Sequence, residues 1–555
     1  MKNIIRNGFL ILAAGALAVS CADYNVTDDF TAQPDPTIVE PYKDLGPVKS
    51  YINREQFPNM TLGATLKVVD FNKQELAHAA AVTNFDNVSF GTSLMSGTII
   101  NERGVMNFLD MSDLLIHVQE IGYDVYGSPL VANANQADGW LKDLTAPIEI
   151  PVDPIEDKFV DYTTMEEFTG TASGTTPVIV KNYDGDENAL KIPRARRTKV
   201  NIVEDFPIDP MGKYTITFFA KVDKDELGLL FTFSGNKIQE GGGDKKFQIK
   251  AGKWQKVVIE AVTPADSVTN GYVMMEGNQT SDVYIKTVQV IHTPDNHRPQ
   301  TEQERNDTIH YALNAWIDGV MKINEGRINS FDLIDEPIDT KAVLENGMFD
   351  LKHSTENIFW QDILGSENYA PKVSNVASTA YEKYGGNPAE LKFFISESGL
   401  DDPQKMASLN YWIHIWDSNG AKIDGINAKL DLSYSEDPAT QAVNEATLIA
   451  LLDNLAATGK LVRLSNFDIK YKDATGVNVT AKDITEAQRQ KLADYYGYVI
   501  KCYMNKIPHD KQAGLCKGNL ADTSDPVGLW SIDSKTKDWV RNATYKAFCD
   551  ALSGN

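Results

Sequence analysis

This 555-residue sequence is poor in several things at once. It has only four cysteines and eight histidines, and neither set is spaced as metal ligands are. Cys502, Cys516 and Cys549 sit in apolar contexts that fit buried thiols, or one disulfide whose pairing the sequence leaves open. No apolar run is long enough to cross a bilayer as a mature helix. Basic residues are outnumbered, 53 Lys and Arg against 77 Asp and Glu, for a net charge of −24. That balance excludes a nucleic-acid surface and an anionic-membrane surface, both of which require clustered cations. A neutral polysaccharide makes no such demand. Repeats of solenoid or propeller length are also missing.

What is present starts at the N-terminus. Lys2 and Arg6 precede an apolar stretch, Gly8 to Val19, which ends in Ala18-Val19-Ser20-Cys21. This resembles a bacterial lipoprotein signal over residues 1–20, with Cys21 as the lipid-bearing residue. The alternative is an ordinary secretory signal that happens to precede a cysteine. Asp23, Asp28 and Asp29 resemble the surface-export signal of Bacteroidetes-type lipoproteins, and residues 21–41 read as a tether. The expectation is a protein exposed at the outer membrane, touching the membrane through lipid alone.

From residue 42 onward, short apolar runs alternate with helical patterns. Strands are expected at 60–69, 85–90, 124–131, 328–335, 391–398, 423–432, 461–469 and 513–520. Helices between them, such as 112–122, 446–459 and 487–507, carry apolar residues at i, i+3, i+4 and i+7. Eight such units predict an α/β fold, a (β/α)8 barrel closed by right-handed crossovers. The pattern breaks after the third strand. Residues 151–296 hold short alternating strands bounded by Gly, Asp and Asn, which predicts an inserted antiparallel β-sandwich. The barrel then runs over 42–150 and 297–555. Loops of this kind lie on the face where barrel active sites are built, so an insert there is expected near any ligand.

Two strand ends carry the chemistry. In SFDLIDEPID, Glu336 follows the fourth strand, and in LVRLSNFDI, Asn466 follows the seventh. Retaining glycoside hydrolysis places two carboxyl groups about 5–5.5 Å apart across the scissile bond. Here one of the two positions holds an amide.

These segments resemble glycoside hydrolase family 10, the endo-β-1,4-xylanases. FDLIDEPID is similar to that family's acid/base strand (WDVVNE), TGKLVRLSNFDI to its nucleophile strand (TGKPIRITELDI) and IDGINAKLDL to IDGIGxQxH. The resemblance covers roughly 58–145 and 300–553 and implies Glu336 at the proton-donor position. It also marks departures. Asn466 stands at the nucleophile, Asp335 at the preceding Asn, Ser128 at a His, and Ala132 and Asn133 at a Trp-His pair. Lys429 and Asp431 stand at a Gln and a His, and Lys517 at a Trp. The insert resembles a jelly-roll carbohydrate-binding module.

The resemblance implies a barrel that has lost its nucleophile and is retained to capture xylan or a related β-glycan, with no cofactor and no metal. Candidate ligand contacts are Asn135, Trp140, Asp335, Lys429, Asp431, Lys517 and Trp530, with Trp530 and Trp140 expected as stacking platforms. Trp316, Trp412 and Trp416 fall on helical stripes and are expected in the core, whereas Trp254, Tyr272 and Tyr284 read equally as packing or sugar contacts. An outer-membrane glycan transporter is the partner such lipoproteins accompany. Two rival readings stay open. One is an active xylanase with Glu336 as acid/base and Asp431 or Asp335 as a relocated nucleophile; the other is a scaffold whose insert alone binds.

Overall fold

The computed structural model describes residues 42–210, 212–262, 268–294 and 296–554. The expected leader, Cys21 and the tether lie outside these residues. The chain forms two compact units, one from residues up to Ala146 and from Thr301 onward, the other spanning Pro147–Gln300.

The first unit is a (β/α)8 barrel. Its strands are Leu62–Thr65, Asn87–Ser89, Asp124–Tyr126, Ser330–Asp335, Lys392–Ser398, Gly425–Lys429, Leu461–Ser465 and Gln512–Lys517, paired in parallel with their neighbours. The eighth strand returns to the first, Leu62 opposite Leu515. The third meets the fourth through the Gly127–Phe331 bridge and the two-residue strand Val131–Ala132. Apolar runs such as Phe393-Phe394-Ile395 are buried because both faces of a parallel sheet are covered. Gly425 is needed where it stands, since a Cβ there would lie 2.2 Å from the Phe394 ring.

The helices begin where side chains satisfy their free N–H groups. Glu302–Asn324 and Glu486–Lys506 open with reciprocal caps, Thr301 with Glu304 and Thr485 with Gln488. Pro403–Ser418 and Pro438–Ala457 start on Asp402 and Asp437 with proline in the first turn. Trp316, Trp412 and Trp416 are buried in the core, as their helical spacing predicts.

All eight strands are shorter than the sequence implies, and in two the local chain shows why. The first ends at Thr65 and the chain turns into the helix Val68–Asn72. The third breaks after Tyr126, because Gly127 packs under Phe331 and Pro129 has no N–H to donate. Among the described residues, no helix is long and apolar enough to cross a membrane.

The second unit is a β-sandwich of two antiparallel sheets. One is built around Thr198–Pro207, Asn270–Gly277 and Glu226–Phe233, the other around Lys213–Val222, Val283–Thr293 and Gln255–Val262. Along Lys213–Val222 the inward set Tyr214, Ile216, Phe218, Ala220 and Val222 alternates with an outward, more exposed set. Residues from both sheets share one core.

Candidate functional site

The C-terminal ends of the barrel strands gather the residues singled out above. Glu336 and Asn466 each step off a strand into left-handed backbone, at φ 46° and 54°. This is uncommon for residues other than glycine and clusters at functional sites. The Glu336 N–H donates to the Ser396 carbonyl at 2.8 Å, which fixes that turn against the fifth strand.

Lys429 ends the sixth strand between two acids. Its Nζ lies 2.5 Å from Asp335 and 3.3 Å from Glu336, and Lys352 stands 3.7 Å from the other Glu336 oxygen. Ser396 also donates to Asp335. Burial alone would raise the Glu336 carboxyl, but Lys429 and Lys352 outweigh it and hold it below the ordinary glutamate range. Burial likewise opposes the Lys429 ammonium, yet Asp335 and Glu336 raise it. Glu336 is therefore held in its ionised form near neutral pH and carries no proton to give. A general acid needs the reverse arrangement.

Asn466 donates from Nδ2 to the Leu430 carbonyl at 2.9 Å. A neutral amide so placed has no anionic oxygen with which to attack. The other nearby acids are occupied. Asp468 accepts from buried Lys517 and from Asn519 at 2.6 Å, and buried Glu397 accepts from Lys405 at 2.8 Å. Burial pulls the Lys517 ammonium down, against the attraction of Asp468.

Several expected contacts are placed elsewhere. Trp530 is 0% exposed and packs against Trp539 and Tyr545, so it fills the core instead of flooring a cleft. Trp140 is 7% exposed, wedged where a Cβ on Gly104 would touch its indole nitrogen at 2.4 Å. Both tryptophans are corrected from platform to packing, because their faces are covered. Lys517 is buried on Asp468 and offers no free ammonium. The Asp431 side chain is 86% exposed and pairs with Lys470, whereas Glu336 is engaged by Lys429 and Lys352. Asn135 is exposed, and its carbonyl accepts from the Gly97 N–H at 2.8 Å. Cys502, Cys516 and Cys549 are free thiols, with no disulfide among the described residues.

Beneath the site lies a polar column that no motif in the sequence marks. Asp332, halfway along the fourth strand, accepts from the Tyr126 hydroxyl at 2.7 Å and from Asn427 Nδ2 at 3.0–3.1 Å. Burial pushes its carboxyl up to about 6, against the Tyr126 hydrogen bond. The Arg463 guanidinium lies over the Tyr126 ring, 3.8 Å from its centroid. Above this column opens a cavity of about 260 Å³, bordered by Ser128, Asp335, Lys429 and Asn466. Asp332 and Lys352 were legible as polar residues but not as neighbours, since the hairpin carrying Lys352 folds back only in three dimensions.

In the second unit an aromatic cluster lies on the outward side of one sheet. Tyr183 stacks on Tyr284 at 4.1 Å, Trp254 donates to Asp184 at 2.7 Å, and Lys221 lies over both Tyr183 and Trp254. Among the described residues, no three His, Cys, Asp or Glu side chains converge as a metal site would require.

The barrel is similar to those of solved structures. A structure described as a novel GH10 endoxylanase retrieved from sugarcane soil metagenome is 10% identical, with a TM-score of 0.50, covering 91% of this chain and 99% of its own. Xylanase B from Clostridium stercorarium F9 is 12% identical at a TM-score of 0.49, covering 89% and 98%. An endo-1,4-beta-xylanase of Penicillium canescens is 12% identical at 0.48, covering 91% and 98%. No curated protein matches the sequence. At such identities the first of these likenesses supports the shared fold and nothing finer. The sequence itself goes further: residues 291–525, which hold strands four to eight, match the model of Glycosyl hydrolase family 10, and over that stretch the chain is similar to that family.

Proposed function

We propose that this protein captures a polysaccharide, xylan or a related β-glycan, on a family 10 barrel that no longer hydrolyses it. The observation that carries the reading is the pairing of Asn466 with a lysine-clamped Glu336. The first removes the nucleophile. The second removes the proton that would leave with the departing sugar. Either change alone reduces hydrolysis steeply; together they leave a polar cleft able to hydrogen-bond sugar hydroxyls.

The partly exposed rings of Tyr183 and Trp254, backed by buried Tyr284, support a second glycan contact in the inserted sandwich, because ring faces match the C–H faces of pyranoses. Two weak contacts on one chain reinforce each other without either being tight. In this reading Cys21 bears lipid, the protein faces outward from the outer membrane, and it hands glycan to a transporter there. Replacing Cys21 with Ala should release it from the membrane fraction.

The test is incubation of purified protein with xylan and other β-glycans, followed by assay for new reducing ends and by affinity electrophoresis. The expected result is retardation in the glycan gel with no new ends. Turnover that survives repurification and vanishes in Glu336→Gln would establish the active-xylanase reading in its place.

A further inference from the structure

The cavity at the barrel mouth is deeper than a cleft for a linear chain requires. Its rim is set by Lys429 and Ser465, the last residues of strands six and seven, and its floor by Asn427 and Arg463, two residues lower on the same strands. At about 3.3 Å per residue along strands tilted by about 36°, the floor lies about 5 Å below the rim. A polymer lying across the mouth cannot reach that depth with its backbone; only a group projecting down the barrel axis can.

The floor carries unused hydrogen-bonding capacity. Asn427 is 3% exposed, and its Oδ1 has no partner, although its amide nitrogen is held by Asp332. Arg463 is 2% exposed, with Nε and Nη1 unpartnered. Ser128 adds a hydroxyl on the wall that is likewise unpaired. Buried polar groups are paired in the large majority of cases, so the open Asn427 acceptor and Ser128 hydroxyl on this cavity, with Arg463 between it and a second cavity, mark a place for something that both donates and accepts. A sugar hydroxyl does so. The cavity of about 260 Å³ far exceeds the ~10–15 Å³ that one water needs, and falls just under the ~300 Å³ of small-molecule sites. Its charges cancel, Asp332 and Asp335 against Lys429 and Arg463.

We infer that this axial pocket receives one uncharged sugar residue, projecting from the captured glycan as a side branch or as a chain end. The inference rests on the glycan-capture reading and adds a preference to it: a decorated or terminating chain over a plain internal stretch.

The test uses the full chain in titration calorimetry with three probes: β-1,4-xylohexaose, the same backbone with a single neutral arabinosyl branch, and the same backbone with a single uronate branch. Xylobiose serves as the probe for chain ends. Two variants fill the pocket, Ser128→Leu from the wall and Thr92→Trp from the exposed rim, where a large side chain leaves the core untouched. Melting temperatures report that each variant is folded. The expected result is binding about tenfold tighter for the neutral branch than for the plain hexaose, with no gain for the uronate, and loss of that gain in both variants. If a chain end is the occupant, xylobiose binds as tightly as the hexaose and both weaken together on filling. Equal affinity for plain and neutral-branched hexaose, with hexaose outbinding xylobiose and neither variant changing the order, would overturn the pocket and leave glycan capture standing. A gain for the uronate equal to that for the neutral branch would overturn its uncharged character. Failure of the wild type to bind any probe or polymeric β-glycan would remove both readings.

Discussion

Lys429 Nζ stands 2.5 Å from Asp335 and 3.3 Å from Glu336, so a single ammonium holds the two consecutive acids that end the fourth strand. That relationship decides what the barrel can do. A glutamate intended to donate a proton is kept near apolar surface or another anion; this one is kept beside cations.

Replacing Lys429 with Met should move the Glu336 titration midpoint upward. The sign follows from the causes: burial raises the group, and the lysines more than offset it. Carbon-detected NMR titration of the glutamate carboxyls would follow the shift. A midpoint unchanged in Lys429→Met would mean that Lys352 or solvent, not Lys429, sets the charge.

Restoring a carboxylate at the seventh strand should not restore hydrolysis. Asn466→Glu places an acid where the family resemblance sets the nucleophile, but Lys429 and Lys352 still stand against Glu336 and oppose the protonation that a leaving group needs. The backbone at φ 54° suits Asn better than Glu, so a loss of about 1 kcal/mol in stability is also expected. Reducing-end assays with Asn466→Glu, alone and combined with Lys429→Met, check the order of these defects. Turnover in the single variant would show that the nucleophile was the only one.

Trp530→Ala should behave as a core deletion. The side chain is fully buried, so the expected loss is about 3–5 kcal/mol in urea denaturation. Glycan retention per folded molecule should stay within about twofold, since the lost contacts contribute no affinity directly. A stable variant with weakened retention would return this residue to the ligand.

Stability should fall on mild acidification. His78 and His117 share a hydrogen bond of 2.8 Å between ring nitrogens, and burial, reinforced by His117, pushes His78 down to about 4. The folded state therefore prefers neutral His78. Its contribution is fully present above the ordinary histidine range near 6.5 and is lost as pH drops from there toward 4. Partial solvent access limits the effect to roughly 2 kcal/mol. Melting temperatures across that window should decline in the wild type and flatten in His78→Gln.

The amino-acid sequence by itself determined the eight alternating units and the antiparallel interruption after the third strand. These follow from periodicity, which is local. It also fixed the identity of Asn466, and with it the absence of a carboxylate there. Tertiary structure alone decided which side chains became neighbours. It brought Lys352 and Lys429 to Glu336, buried Trp140 and Trp530, and left Asp332, Asn427 and Arg463 stacked beneath the mouth. Burial and charge pairing depend on residues that lie far apart along the chain, and no spacing rule reports them.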